Sequence, residues 1–274
     1  MTTLTRPSTP AVARLRPDVS IGAVRVWLRN RDVFLRLWKS ELSGMVIEPW
    51  LVIAAMGLGL GRFVELDGGE DYAAFLGPGL LAAFPMFTTV FESGWGSFVR
   101  LEMQHTYDAV IATPVSVDDV VTGDLLWGAT RGVMSACYIL LVELLLNPSL
   151  HMVGSPWIVV GILPVAAVLG LLFASISIMF ASIARAMSQF QYFFNLLILP
   201  MFWFSGAFFP FESLPEWART IGWFLPLTHA VNLYRDLNGG DLAWSMVGDF
   251  TWLLAATAIT YVLALALMRR RLIV

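Results

Sequence analysis

The chain has 274 residues, 58% of them hydrophobic and 14% charged, with a net charge of -3 and a mean hydropathy of +0.73. Soluble domains carry roughly 25% charge and 45–50% apolar residues, so too little polar surface remains to clothe a water-soluble fold, and the chain reads as a membrane protein. The acidic balance excludes a general nucleic-acid binder, and the lone Cys137 with three histidines excludes disulfide and Cys/His zinc frameworks.

Residues 1–17 are polar and proline-bearing and lack an apolar run, which predicts a flexible cytoplasmic tail and no cleaved signal. From residue 18 to 40 the pattern changes. Val24, Trp27, Leu28, Phe34, Leu35 and Trp38 share one side of a helical projection, with Arg25, Arg29 and Arg36 beside them. This predicts an amphipathic helix lying at the cytoplasmic interface of the membrane, or else packed on a soluble partner.

Residues 41–274 form the transmembrane domain. A crossing helix needs about 20 mostly apolar residues, and six such runs occur: Leu42–Gly61, Tyr72–Phe98, Leu125–Leu146, Trp157–Ala181, Phe190–Phe209 and Gly248–Met268. Cations set the direction. Arg6, Arg14, Arg16, Arg25, Arg29, Arg31, Arg36 and Lys39 precede the first run, Arg100 and Arg185 follow the second and fourth, and Arg269, Arg270 and Arg271 close the chain. The opposite loops hold only Arg62, Arg219 and Arg235, and the first of them is acidic through Glu65, Asp67, Glu70 and Asp71. Both termini are therefore expected in the cytoplasm.

Two connections are more structured than a connector needs to be. In the cytoplasmic stretch 99–124, helix-forming residues run from Leu101 to Ala112 and stop at Thr113-Pro114, and Ser116 is placed to cap a further turn through Asp119. A short helix there is expected to point Glu102, His105, Tyr107 and Asp108 at the cytosol. The outer stretch 210–247 holds Pro210, Pro215 and Pro226 among many aromatics. It is too apolar for a free loop and too broken for a span, which predicts short re-entrant helices before the last span.

Ionisable residues inside spans cost about 2.5–3.5 kcal/mol each at the helix centre and call for partners. Glu48, Glu92 and Arg131 each lie about six residues inside the inner boundary, roughly 9 Å deep at 1.5 Å per residue, so Arg131 is expected to pair with Glu48, Glu92 or both. Glu143 is expected at the outer interface. The fifth run and its exit concentrate aromatics, with Phe194, Phe202, Trp203 and Phe204 as candidate lining for a pathway. Gly77, Gly79, Gly94, Gly96, Gly128 and Gly132 offer small surfaces for close helix approach.

Catalysis finds little support. His105, His151 and His229 fall in predicted loops with no nucleophile at helical spacing. The single lysine, Lys39, precedes Ser40, but Val33 and Trp38 occupy both glycine positions of a phosphate-binding loop. No catalytic or metal residues are assigned, and ATP hydrolysis would have to come from another subunit.

The order of basic amphipathic helix, six spans and structured second loop, with F-S-G-A-F-F-P-F-E-S-L-P at Phe204–Pro215 and F-L-P-L-T-H at Phe224–His229, resembles the permease subunits of type-2 ABC exporters. Glu48-Pro49, Tyr72-x-x-Phe75-Leu76-x-x-Gly79, Arg100-x-Glu102, Thr106-Tyr107-x-Ala109, Gly123-Asp124 and Arg269-Arg270-Arg271-Leu272 support it. Within that superfamily the chain is most similar to the NodJ-type nodulation-factor exporter permeases.

The resemblance implies an all-α permease in the bacterial inner membrane that pairs with a second permease copy and is driven by two copies of a separate ATP-binding subunit. That subunit would hold ATP and magnesium. The resemblance also implies a coupling helix within residues 99–114, with Arg100, Glu102, His105, Tyr107 and Asp108 as its contact set. The implied cargo is a lipo-oligosaccharide, a polysaccharide or a hydrophobic small molecule. The alternatives are an ion-coupled secondary transporter, which would show broken helices in two related halves, and a non-transporting scaffold.

Overall fold

The computed structural model describes residues 17–64, 71–240 and 243–273. The tail over residues 1–16, together with Glu65, Asp67 and Glu70, lies outside them. Among the described residues every regular element is helical.

The first helix, α1, runs unbroken from Gly22 to Val52 and continues through a wide π-helical turn, Ile53–Gly59. The amphipathic helix and the first span, expected as two elements, are thus one rod. Nothing between them breaks a helix: the only proline is Pro49, within the apolar part. The buried face also differs from the expected one. Ala23, Val26 and Asn30 are buried, whereas Val24, Leu35 and Trp38 of the predicted apolar stripe remain exposed.

Helix α2 starts at Tyr72, with the Asp71 side chain accepting from the Ala73 amide at 3.1 Å. It stays helical to Met103 through wide turns at Phe91–Trp95 and Val99–Met103. A short α3, Thr106–Ile111, follows the left-handed His105. It is a shortened version of the helix expected over 101–112.

Helix α4, Val117–Leu150, opens on a capping box between Ser116 and Asp119. It begins eight residues before the predicted third span, because Val117, Val120 and Val121 are buried and already belong to the packed face. Helix α5 is Trp157–Ile183, as long and apolar as expected.

Of the six predicted spans, four coincide with helices long and apolar enough to cross a membrane: Tyr72–Met103, Val117–Leu150, Trp157–Ile183 and Trp244–Leu272. The first predicted span is carried by the end of α1, where Ile47–Gly59 is a shorter apolar helix. The fifth is a helix over residues 189–204, here α6, which carries a wide turn at Phe194–Ile198 and ends where Gly206 takes φ +78°. It stops short of the expected Phe209.

The stretch expected on the outer side folds as two short helices, α7 (Glu216–Trp223) and α8 (Pro226–Gly239). The last helix, α9, is Trp244–Ile273.

Helices α2, α4 and α5 form the centre of the bundle, α1 lies on α4, α9 lies on α5, and α8 is wedged among α2, α5 and α9. Small residues permit the central approach. A methyl group on Gly128 of α4 would sit 2.1 Å from Ser93 Oγ of α2 and 2.9 Å from Ala174 Cβ of α5.

Glu143, expected at an interface, is fully buried instead, and neither carboxyl oxygen has a hydrogen-bond partner among the described residues. Gly77 of α2 makes the room, since even a Cβ there would stand 3.5 Å from that carboxyl group.

Candidate coupling segment and intramembrane charge cluster

The second connection, the first thirds of α1 and α4 and the last third of α2 converge on one carboxylate. Asp124, 1% exposed, sits two turns into α4. It accepts from Asn30 Nδ2 of α1 at 2.6 Å and from the Tyr107 hydroxyl of α3. Two guanidinium groups face it, Arg100 Nε at 3.4 Å and Arg29 Nη2 at 3.8 Å. A buried carboxylate requires this kind of saturation, because stripping its water costs several kcal/mol unless donors and a cation replace it.

Arg100 links this centre to a second carboxylate on its own helix. Its Nη1 lies 3.7 Å from Glu92 Oε1, and Arg131 Nε of α4 lies 3.6 Å from Glu92 Oε2. Trp127 Nε1 donates to Glu92 at 3.1 Å, and the Arg131 guanidinium lies 4.7 Å over the Phe34 ring of α1. Of the three residues expected to share one depth, Glu92 and Arg131 are therefore brought together. Glu48 makes no ion pair among the described residues, although all three border one cavity of about 750 Å³.

The predicted contact set divides. Tyr107, expected to point at the cytosol, is 1% exposed and turned inward, because its hydroxyl satisfies Asp124. Burial first, and then the Asp124 charge, push its phenol up from the usual tyrosine value. Arg100 likewise faces the interior, with a side chain 16% exposed. Glu102 and His105 are exposed, Glu102 in an ion pair with Arg271 at 2.5 Å. The side chain of Asp108 lies outside the described residues.

The four aromatics also separate. Phe194 borders the cavity and packs 5.1 Å from Phe91 and 5.8 Å from Phe87. Phe202 meets Phe87 at 5.0 Å and Phe208 at 4.9 Å, and Phe204 meets Trp217 at 5.8 Å, all in edge-on geometry suited to packing. Trp203 is exposed.

Sequence reasoning missed Asp124, Asn30 and Trp127. A signal for the first was present: Asp124 and Arg131 are seven residues apart, two helical turns on one face, with Trp127 between them. Placing the start of the span at Leu125 put Asp124 in a loop. His229, also assigned to a loop, lies buried on α8, with Nδ1 2.6 Å from Asp249 Oδ1 and Nε2 2.8 Å from the Trp223 carbonyl oxygen. Among the described residues there is no group of acids, histidines and cysteines able to hold a metal ion.

Residues 25–237 match the family described as ABC-2 type transporter. Nodulation protein J of Rhizobium leguminosarum bv. trifolii is 32% identical over 258 residues, 94% of this chain and 96% of its own length. Nodulation protein J of Rhizobium meliloti (strain 1021) is 30% identical over 250 residues, 91% of this chain and 93% of its own length. The inner membrane transport permease YadH of Escherichia coli (strain K12) is more distant, 20% identical over 211 residues, 77% of this chain and 80% of its own length. With its apolar helices packed around a buried charge cluster, this multi-pass membrane protein belongs to the ABC-2 type transporter family.

Proposed function

We propose that the chain is the membrane-spanning half of an ATP-driven exporter in a bacterial inner membrane, with both termini cytoplasmic. Two copies pair side by side, and two copies of a separate ATP-binding subunit dock beneath them at the segment around α3. The observation that carries this reading is the family match across most of the chain, joined to the absence of a phosphate-binding loop around Lys39. ATP and magnesium are held by the partner, which moves the coupling segment, and Arg100 and Tyr107 pass that movement to Asp124 and the spans. A ligand shifts such an equilibrium only through different affinity for two arrangements, so the nucleotide acts on the partner and the permease senses it.

The cargo class implied by the resemblance to nodulation-factor exporter permeases is a lipo-oligosaccharide or polysaccharide, with a hydrophobic small molecule as the alternative. The cavity between α1, α2, α4 and α6, with Glu48, Glu92 and Arg131 beside Phe87, Phe91 and Phe194, suits a molecule that is polar at one end and apolar at the other. The test is uptake of a glycolipid and drug panel into inverted vesicles containing the permease and its ATP-binding subunit. ATP-dependent uptake is expected. Uptake driven by an ion gradient with the ATP-binding subunit absent would overturn the reading.

A further inference from the structure

The three arginines that close α9 do different things. Arg270 is exposed. Arg269 is buried and grips Asp118 of α4 with two bonds, Nε to Oδ1 at 2.5 Å and Nη2 to Oδ2. Arg271 donates to Glu102, at the end of α2, at 2.5 Å and to the Ala184 carbonyl oxygen, just past α5, at 3.1 Å. Arginines at a membrane boundary ordinarily serve as independent anchors to headgroups. Two of these three instead reach specific carboxylates on other helices, and one does so in the bidentate geometry that fixes direction as well as distance.

Asp118 is itself held in place. Its Oδ2 accepts from the Asp18 amide at 2.7 Å, and the neighbouring Asp119 accepts from the Ser20 amide at 2.6 Å and the Ser20 hydroxyl at 2.8 Å. The entry to α1, the end of α2, the start of α4 and the end of α9 are thereby tied at one place. Residues 102–118 lie between the two carboxylates that the arginines hold. Elsewhere α9 leans on α5 and α8, and it meets α4 again where Thr122 and Tyr261 share a hydrogen bond of 2.9 Å.

We propose that the Asp118–Arg269 and Glu102–Arg271 pairs form a latch that carries movement of the coupling segment into the last helix, with these four side chains as positioning residues for transport. The proposal rests on the reading that the segment around α3 meets an ATP-binding subunit. Its geometric basis is that both ends of that segment are held by α9, so displacement of the segment must either move α9 or break a charge-assisted hydrogen bond.

The test is amide hydrogen exchange in the complex of the full chain with its ATP-binding subunit in vesicles, with and without ATP and vanadate. It follows residues 106–116 and 262–273 and needs no cargo. In the wild type both stretches are expected to change their exchange rates by about twofold or more. Arg269→Gln with Arg271→Glu opens both pairs and should keep the change at 106–116 and lose that at 262–273, and adding Glu102→Arg should restore it through the reversed pair. Arg269→Lys with Arg271→Gln, which loosens both pairs, gives the same readout should that variant fold poorly. A merely structural role would lower thermal stability and leave the two stretches responding together.

The latch is overturned if 262–273 still responds with both pairs open. Silence at 262–273 in a wild type that responds at 106–116, or no recovery on adding Glu102→Arg, also overturns it. A wild type with no response at 106–116 overturns instead the coupling reading beneath it.

Discussion

The two ends of the bundle are held by different physics. Around Asp124 and Asp118, helices α1, α2, α3, α4 and α9 are joined by carboxylates shared among donors and cations from several elements. At the opposite end, the helical hairpin α7–α8 is fixed mainly through backbone carbonyl groups. Thr228 donates to Gly222 at 2.7 Å, Asn238 to Met152 at 3.0 Å and Arg235 to Gly206 at 2.6 Å, with His229 stacked 4.3 Å from Trp252. Backbone acceptors stay where the fold puts them. A carboxylate shared by three or four donors can exchange one for another, so the charged end is the one suited to two arrangements and the carbonyl-tethered end to one.

The largest expected effect comes from emptying the charged centre. Asp124→Ala leaves Asn30 and Tyr107 without their shared acceptor and Arg100 without its facing charge, and breaking a buried ionic centre from one side costs about 3–5 kcal/mol. Loss of folded, purifiable protein is expected, and a stable Asp124→Ala chain in a thermal melt would break the contrast between the two ends. Charge reversal at Arg131 comes next. On the proposed function, Arg131→Glu should abolish ATP-dependent uptake into inverted vesicles, and Glu92→Arg on that background should partly recover it, because the two face each other at 3.6 Å. No recovery would show that the pair acts separately.

Smaller again is the packing between helices. Gly128→Ala forces a methyl group against Ser93 and Ala174, and overpacking of this kind costs about 1–3 kcal/mol. Gly248→Ala, on α9 with nothing within 4 Å, adds no clash and narrows the unfolded ensemble, so it should raise the melting temperature slightly.

Tyr107→Phe should cost about 2 kcal/mol, within the range for one hydrogen bond to a charged group, and its effect has a definite pH sign. Because burial raises the phenol's pKa in the folded chain, the tyrosine's contribution is fully present below the ordinary value of about 10 and fades as the pH climbs from there through the raised one. The wild-type advantage in a thermal melt should therefore be constant from neutral to mildly alkaline pH.

Much of this organisation is legible in the residues. Helices α2, α5 and α9 follow from apolar length alone, and Ser116 announces its own cap. The pairing of Arg131 with a span acid follows from depth, since a lone charge there is costly. Less legible is which side of a residue faces inward. Tyr107 and Glu102 sit five apart in one short segment, yet one faces the core and the other the surface, because the chain turns at His105 with φ 49°. The buried face of α1 was hidden for another reason. It consists of Ala23, Val26 and Asn30, small or polar residues that let α4 approach, while the stronger hydrophobic stripe lies elsewhere on the helix. Gly123 shows how close that approach is, for a methyl group there would fall 2.6 Å from Val26 Cβ.

The wide π-helical turns have a distribution of their own. They fall on α1, α2 and α6, helices that border the cavity, and among the described residues none falls on α4, α5 or α9. Each such turn stores one residue more than the ordinary spiral holds. Passing that surplus along the rod turns the residues it crosses by about 100°. Three of the chamber's four walls thus carry a built-in swivel, and the fourth, α4, with α5 and α9 behind it, does not.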